Sequence, residues 1–288
     1  MKLMMFDAGG KACLGVVDGD TVIDAGACDA AQPETLLDLI KAGPDALAAL
    51  RAATDSAPDS ARLKLNDVTP ALPIEHPGKF VCVGLNYAAH AREGGHDIPD
   101  YPSLFPRYAT SLVAAEAPVI LPKVSEQLDY EVELTIVIGR GGRAISEQDA
   151  LDHVFGYTVF NDVSVRDYQR KTKQWTQGKN FDATGPLGPV VVTPEDLPAG
   201  ASGLRITSRV NGETRQDSNT ADMIFSTAKI IAILSEFMTL EPGDVIATGT
   251  PSGVAHAMQP PGWMTPGDIV EAEVEGIGIL RNPIAQEA

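Results

Sequence analysis

The sequence predicts an α+β fold, mainly β, in which a small N-terminal α+β domain precedes a larger β-rich domain. Three observations lead there. Short apolar runs bounded by Gly, Pro or Asn-Gly turns recur along the chain. Only a few stretches carry helical spacing. Pro70, Pro73, Pro77 and Gly78 mark a boundary, which divides the chain into residues 1–72 and 73–288.

In the first unit Lys2–Phe6, Leu14–Val17 and Thr21–Asp24 read as strands joined by turns such as Asp18-Gly19-Asp20, followed by an Ala/Leu-rich helix from Glu34 to Ala52. Beyond the boundary Phe80–Val83, Glu131–Ile138, Gly156–Phe160, Gly188–Val192, Leu204–Val210, Asp244–Thr248 and Asp268–Val274 read as strands. Asn211-Gly212 is a hairpin signal. Helical periodicity returns at Ser146–His153 and Ile224–Met238, and a short helix is expected after the Gly84 turn.

Composition narrows the function classes. The 288 residues carry 39 Asp plus Glu against 22 Lys plus Arg, a net charge of −17. Such a surface repels phosphate backbones and anionic lipid, which argues against nucleic-acid and membrane partners. Cys13, Cys28 and Cys82 form no CxxC pair, so neither a disulfide framework nor a thiolate zinc motif is expected. The apolar run before Asp7 is too short for a signal-peptide core and no stretch is long enough to span a bilayer, so a cytoplasmic protein is expected.

The chemistry-bearing residues concentrate between Gly84 and Thr250. On the strand Glu131–Ile138, Val132, Leu134, Ile136 and Ile138 share one face, while Glu131 and Glu133 share the other, about 7 Å apart. A solvated outer face would explain the two glutamates. Asp162, where a buried strand turns polar, adds a third carboxylate, and three carboxylates together suit a hard cation such as Mg2+ or Mn2+ better than zinc. His90 and Glu93, three apart on a helix, can pair as an imidazole and its orienting carboxylate, and the following Gly94-Gly95 suggests a mobile lid. Lys179 and Arg166, with Gln169, form either ordinary surface ion pairs or a clamp for an anionic substrate. Arg107, with Phe105, Tyr108 and Ser111, lies between lid and carboxylate strand, where it either contacts the distal end of a substrate or packs the loop. The run Gly139–Ala144 fails the dinucleotide fingerprint, and Gly249–Gly253 lacks the central Ser of a nucleophile elbow.

Taken in order, Gly-Leu-Asn-Tyr-x-x-His-x-x-Glu, Asp-Tyr-Glu-x-Glu-Leu, Phe-Asn-Asp-x-Ser-x-Arg-Asp-x-Gln, Gly-Lys-Asn-Phe-Asp and Gly-Thr-Pro-x-Gly-Val resemble the fumarylacetoacetate hydrolase family from about Lys79 to Pro283. The resemblance implies a mixed β-roll catalytic domain, a homodimer, and a Mg2+ or Mn2+ ion on Glu131, Glu133 and Asp162. It places the lid pair on His90 and Glu93, the family lysine on Lys179, and substrate contacts on Arg166, Gln169 and Thr250. The animal-type members carry a further metal carboxylate seven residues before the lid histidine; here that residue is Val83. The implied activity is hydrolysis of the C3–C4 bond of a small anionic 2,4-dioxo acid, such as an acylpyruvate, fumarylpyruvate or a 2,4-dioxo-3-deoxy sugar acid. In that scheme His90 activates water and Lys179 meets the oxyanion. Oxaloacetate decarboxylation, 2-oxo acid isomerisation, and a non-catalytic metal or sugar-acid binder are the alternatives.

Overall fold

A computed structural model describes residues 1–288. Strands Lys2–Asp7, Ala12–Asp18 and Thr21–Asp24 pair antiparallel in turn, with Leu3 opposite Val16 and Val16 opposite Ile23. The free edge of Lys2–Asp7 then pairs antiparallel with Gly185–Val192, Lys2 facing Val192. The sheet runs on through Val154–Asn161, Val132–Ile138, Val245–Ala247, Phe80–Gly84 and Ser103–Pro106. Residues 1–72 are therefore tied to the remainder by backbone ladders as well as by the connecting chain.

A second sheet orders Glu213–Asn219, Arg205–Val210, Ile269–Val274, Gly278–Gln286 and Val119–Leu121. Its hairpin turns at Asn211-Gly212, both residues at positive φ (53° and 80°), as a tight two-residue turn between twisted strands requires. Val132, Leu134, Ile136 and Ile138 pack into one core with Ile206 and Leu280 of this sheet and with Ile230 and Leu234 of the helix Thr227–Phe237.

Three helical expectations need correction. Glu34–Ala52 is two helices, Leu36–Ala42 and Pro44–Asp55, because Gly43 sits at φ 85° and Pro44, lacking an N–H, starts the second. Ser146–His153 reduces to a single 3-10 turn, Ala150–His153, since Ser146 Oγ takes the Asp149 N–H and closes a local turn. The last helix begins only at Thr227, where Ser226 Oγ accepts the Lys229 N–H and caps it.

The topology places the chemistry at one edge. Val245–Ala247 and Phe80–Gly84 are parallel, so the chain leaves both at the same end. One exit leads to the helix Ala88–Glu93, the other to the Gly249–Gly253 loop. Val132–Ile138 is antiparallel to Val245–Ala247, and Val154–Asn161 antiparallel to it in turn. That brings the start of the first, Glu131–Glu133, and the end of the second, Asn161-Asp162, to the same rim.

Candidate active site

Register fixes the acidic triad before any side chain is considered. Val132 faces Asn161, so Asp162 falls beside Glu131; the Asp162 N–H donates to Glu131 O (2.9 Å), and the Glu131 N–H to Asn161 Oδ1 (2.9 Å). Oxygens of Glu131, Glu133 and Asp162 lie within 4.8 Å of one another. All three residues are buried, which rules out the solvated outer face.

The carboxylates are balanced unequally. Lys179, at the end of the short helix Thr176–Lys179, donates to Glu131 Oε2 and Asp162 Oδ2, both at 2.6 Å, and to Asp162 O at 3.4 Å. Arg166 Nη2 lies 2.5 Å from Glu131 Oε1, and its Nε donates to Asp129 Oδ2 at 2.7 Å. Arg107 Nε donates to Asp162 Oδ1 at 2.8 Å. Four buried carboxylates, with Asp129 the fourth, thus meet three buried cations.

Burial alone would raise the Glu131 carboxyl, but the charges of Arg166 and Lys179 outweigh it and hold the group far below the usual range. Glu133 goes the other way. Burial, then the negative charges of Asp162 and Glu131, push its carboxyl well above the usual range. The cluster of four carboxylates is one positive charge short, and the triad's ligand atoms are hard oxygens at mutual distances one cation can bridge. The residues present therefore fit a divalent ion of the magnesium or manganese kind.

Two glycine amides hold the rest of the site. Gly249 N–H donates to Glu133 Oε2 (2.8 Å), and Gly253 N–H to Glu93 Oε1 (2.9 Å). Both glycines sit at positive φ, 100° and 102°. At Gly253 a Cβ would come within 2.2 Å of Arg215 O, so the turn admits only glycine. Between them Thr250 Oγ1 accepts from Gln216 Nε2 (2.8 Å). Glu93 in turn places Oε2 3.3 Å from His90 Nδ1, so the Ala88–Glu93 helix is fastened to the Gly253 loop and the imidazole is oriented over the cavity.

A cavity of 420 Å³ gathers nearly all the expected residues: His90, Glu131, Glu133, Asp162, Arg166, Gln169, Lys179 and Thr250 line it. Glu93 stands behind His90, and Val83 forms part of the wall where a fourth carboxylate would otherwise sit. Arg107 is a correction. Its guanidinium is buried away from the cavity and gives its hydrogens to Asp162, Thr184 Oγ1 and Val163 O, so it positions a carboxylate and does not face a substrate. Lys179 also differs from expectation: its three donors already point at protein oxygens. Sequence reasoning missed Asp129, Arg170, Trp175, His96 and His256. Asp129 was visible two residues before Glu131 at the same strand period; the others carry no local signal.

Residues 79–285 match the family model described as fumarylacetoacetate hydrolase C-terminal. The chain is 40% identical over 290 residues to oxaloacetate tautomerase fahd2, mitochondrial, of Xenopus laevis, covering 99% of this chain and 90% of that protein. It is 41% identical to oxaloacetate tautomerase FAHD2A, mitochondrial, of Homo sapiens, covering 99% and 91%. Among solved structures, the maleylpyruvate hydrolase of Sphingobium sp. SYK-6 in complex with manganese(II) and pyruvate aligns at a TM-score of 0.84 and 30% identity over the whole of both chains. A fumarylacetoacetate hydrolase from Exiguobacterium antarcticum gives 0.86 and 37%, again over both whole chains. With the match spanning most of its length and the ordered motifs converging on one cavity, the chain belongs to the fumarylacetoacetate hydrolase family.

Proposed function

We propose that this enzyme is a divalent-metal-dependent tautomerase that interconverts the keto and enol forms of oxaloacetate. The observation that carries the reading is one cavity with a buried carboxylate triad on one wall and a glutamate-oriented histidine on another. The names of the two curated relatives above support the substrate. Glu131, Glu133 and Asp162 would hold the ion, which when bound supplies Lewis-acid polarisation of the 2-oxo group. His90 makes no hydrogen bond through Nε2, which leaves that nitrogen free to move one proton between C3 and the 2-oxygen. Glu93 fixes the ring and, through Gly253, the helix that carries it. Lys179 and Arg166 keep Glu131 ionised for the metal, and Lys179 also holds Asp162 in place.

The test is the ultraviolet relaxation of freshly dissolved oxaloacetate enol, followed with Mg2+ or Mn2+, after chelation, and in His90→Gln. Acceleration that needs both the metal and His90 supports the proposal; a rate indifferent to either sinks it. Hydrolysis of a 2,4-dioxo acid is the second reading, favoured by the maleylpyruvate hydrolase alignment and by a free His90 Nε2 that can equally activate water. Pyruvate released from acylpyruvates faster than the enol relaxes would put hydrolysis first, and pyruvate with carbon dioxide from oxaloacetate would indicate decarboxylation.

A further inference from the structure

The cations nearest the triad are committed to the protein. Arg166 places Nε on Asp129, Nη1 on Gln169 Oε1 and Nη2 against Glu131, while Lys179 donates to three oxygens. A second substrate carboxylate must therefore be met elsewhere on the wall. His96, Arg170 and His256 line the same cavity. His96 is exposed beside Gly94-Gly95 and makes no hydrogen bond through its ring. Arg170 has Nε on Arg166 O and Nη2 on Gln127 Oε1, with Nη1 left over.

His256 is anchored. Asp129 Oδ1 accepts the Ala255 N–H (2.7 Å), and Oδ2 accepts the His256 N–H (3.1 Å) while lying 3.4 Å from the ring Nδ1. Nδ1 is buried and has no hydrogen-bond partner, yet the side chain is 25% exposed and lines the cavity, so the open edge of the ring is the one carrying Nε2. Nε2 makes no hydrogen bond to the protein. The same Asp129 carboxylate accepts from Arg166, which fixes the imidazole relative to the triad.

We propose that His256 is a specificity-determining residue that receives the second carboxylate of a 2-oxo diacid at Nε2, with Asp129 as its positioning residue. The proposal rests on the reading of a 2-oxo diacid substrate given above. With Nδ1 turned toward Asp129, the ring presents Nε2 to the cavity as a donor for a bound carboxylate, and Arg170 Nη1 adds positive potential on the same wall.

The experiment measures, on the Mn2+-loaded enzyme, KM for oxaloacetate and the inhibition constant of pyruvate, a monoanion with the same 2-oxo acid head and no second carboxylate. In His256→Ala the oxaloacetate KM should rise about tenfold or more, the loss of one charge-assisted hydrogen bond, while the pyruvate constant stays put. His256→Gln, which keeps an N–H near the Nε2 position, should recover part of the loss and also serves if the alanine variant melts early. Oxaloacetate and pyruvate weakening together, or neither weakening, would overturn the proposal. If the wild-type enzyme leaves oxaloacetate unchanged, the functional reading fails separately. The ratio of dissociation constants for oxaloacetate and pyruvate, measured by calorimetry on the same proteins, then decides the role of His256.

Discussion

Replacing Arg107 with Met tests the charge balance of the site without touching a residue that faces the cavity. The guanidinium and the Asp162 carboxylate have no exposed side-chain surface, and Nε lies 2.8 Å from Oδ1. Met fills much of the arginine stem but leaves Asp162 Oδ1, Thr184 Oγ1 and Val163 O without the arginine donors, while Asp162 Oδ2 keeps Lys179. Removing one partner of a buried pair costs about 3–5 kcal/mol when the remaining charge is left unmatched, and the Lys179 ammonium still facing Asp162 puts this case at the lower end, about 3 kcal/mol. For a chain of this size that corresponds to a melting temperature lower by roughly 10 °C. The shortfall of positive charge in the cluster also grows, from four carboxylates against three cations to four against two. The divalent ion should then rescue more: adding Mn2+ should raise the melting temperature of Arg107→Met by more than it raises that of the wild type, while the oxaloacetate KM of the loaded enzyme changes little. Thermal melts by circular dichroism, with chelator and with Mn2+, read both effects. A variant melting within about 1 °C of the wild type with chelator present would refute the assignment of Arg107 as the partner of Asp162. So would a normal melt accompanied by a raised KM, which would return Arg107 to the substrate.

Glu133→Gln removes the carboxylate that burial, Asp162 and Glu131 disfavour. In chelator it should melt no lower than the wild type, yet bind Mn2+ at least about tenfold more weakly by titration calorimetry, and unchanged Mn2+ affinity would remove Glu133 from the ligand set. Gly84→Ala would set a Cβ 2.2 Å from Trp175 Cζ3, so the indole must move at a cost of about 1–3 kcal/mol. A shifted intrinsic fluorescence and a lower melting temperature are expected, and an unaltered spectrum would contradict the contact. Burial pushes the Asp268 carboxyl up, but hydrogen bonds from the Thr265 N–H, Asn211 Nδ2 and Thr265 Oγ1 outweigh it and leave the group below its ordinary value. With a folded value below the unfolded value of about 3.9, Asp268 stabilises the protein above that pH, and the contribution disappears as pH falls through the folded value. Asp268→Asn should therefore lower the melting temperature at pH 7 and converge on the wild type in acid, whereas a gap that is the same at both pH values would disprove the linkage.

Much of the site is legible in the residues themselves. Glu131 and Glu133 fall two apart on a strand, His90 and Glu93 three apart on a helix, and both spacings persist in the folded chain. The strand cores were also legible, because apolar runs bounded by Gly and Pro report burial directly. Helix ends were less so: Gly43 and the Ser146 turn act through backbone geometry and one side-chain hydrogen bond, which periodicity does not register. Neither does any spacing distinguish Arg107 from Arg166 as a cavity residue: each directly follows a short strand, and only packing says which guanidinium is sealed.

What the sequence by itself determined is the kind of chemistry: three hard carboxylates, an imidazole with its own carboxylate, and a net charge of −17. What only the tertiary structure decided is which charges meet. Antiparallel register sets Asp162 beside Glu131, and a parallel pair delivers the His90 helix and the Thr250 loop to the same rim. Asp129 then joins Arg166, 37 positions on, to His256, 127 positions on. Such pairings depend on strand order and register, which are long-range properties, so a buried glutamate and a solvated one look the same until the sheet closes over them.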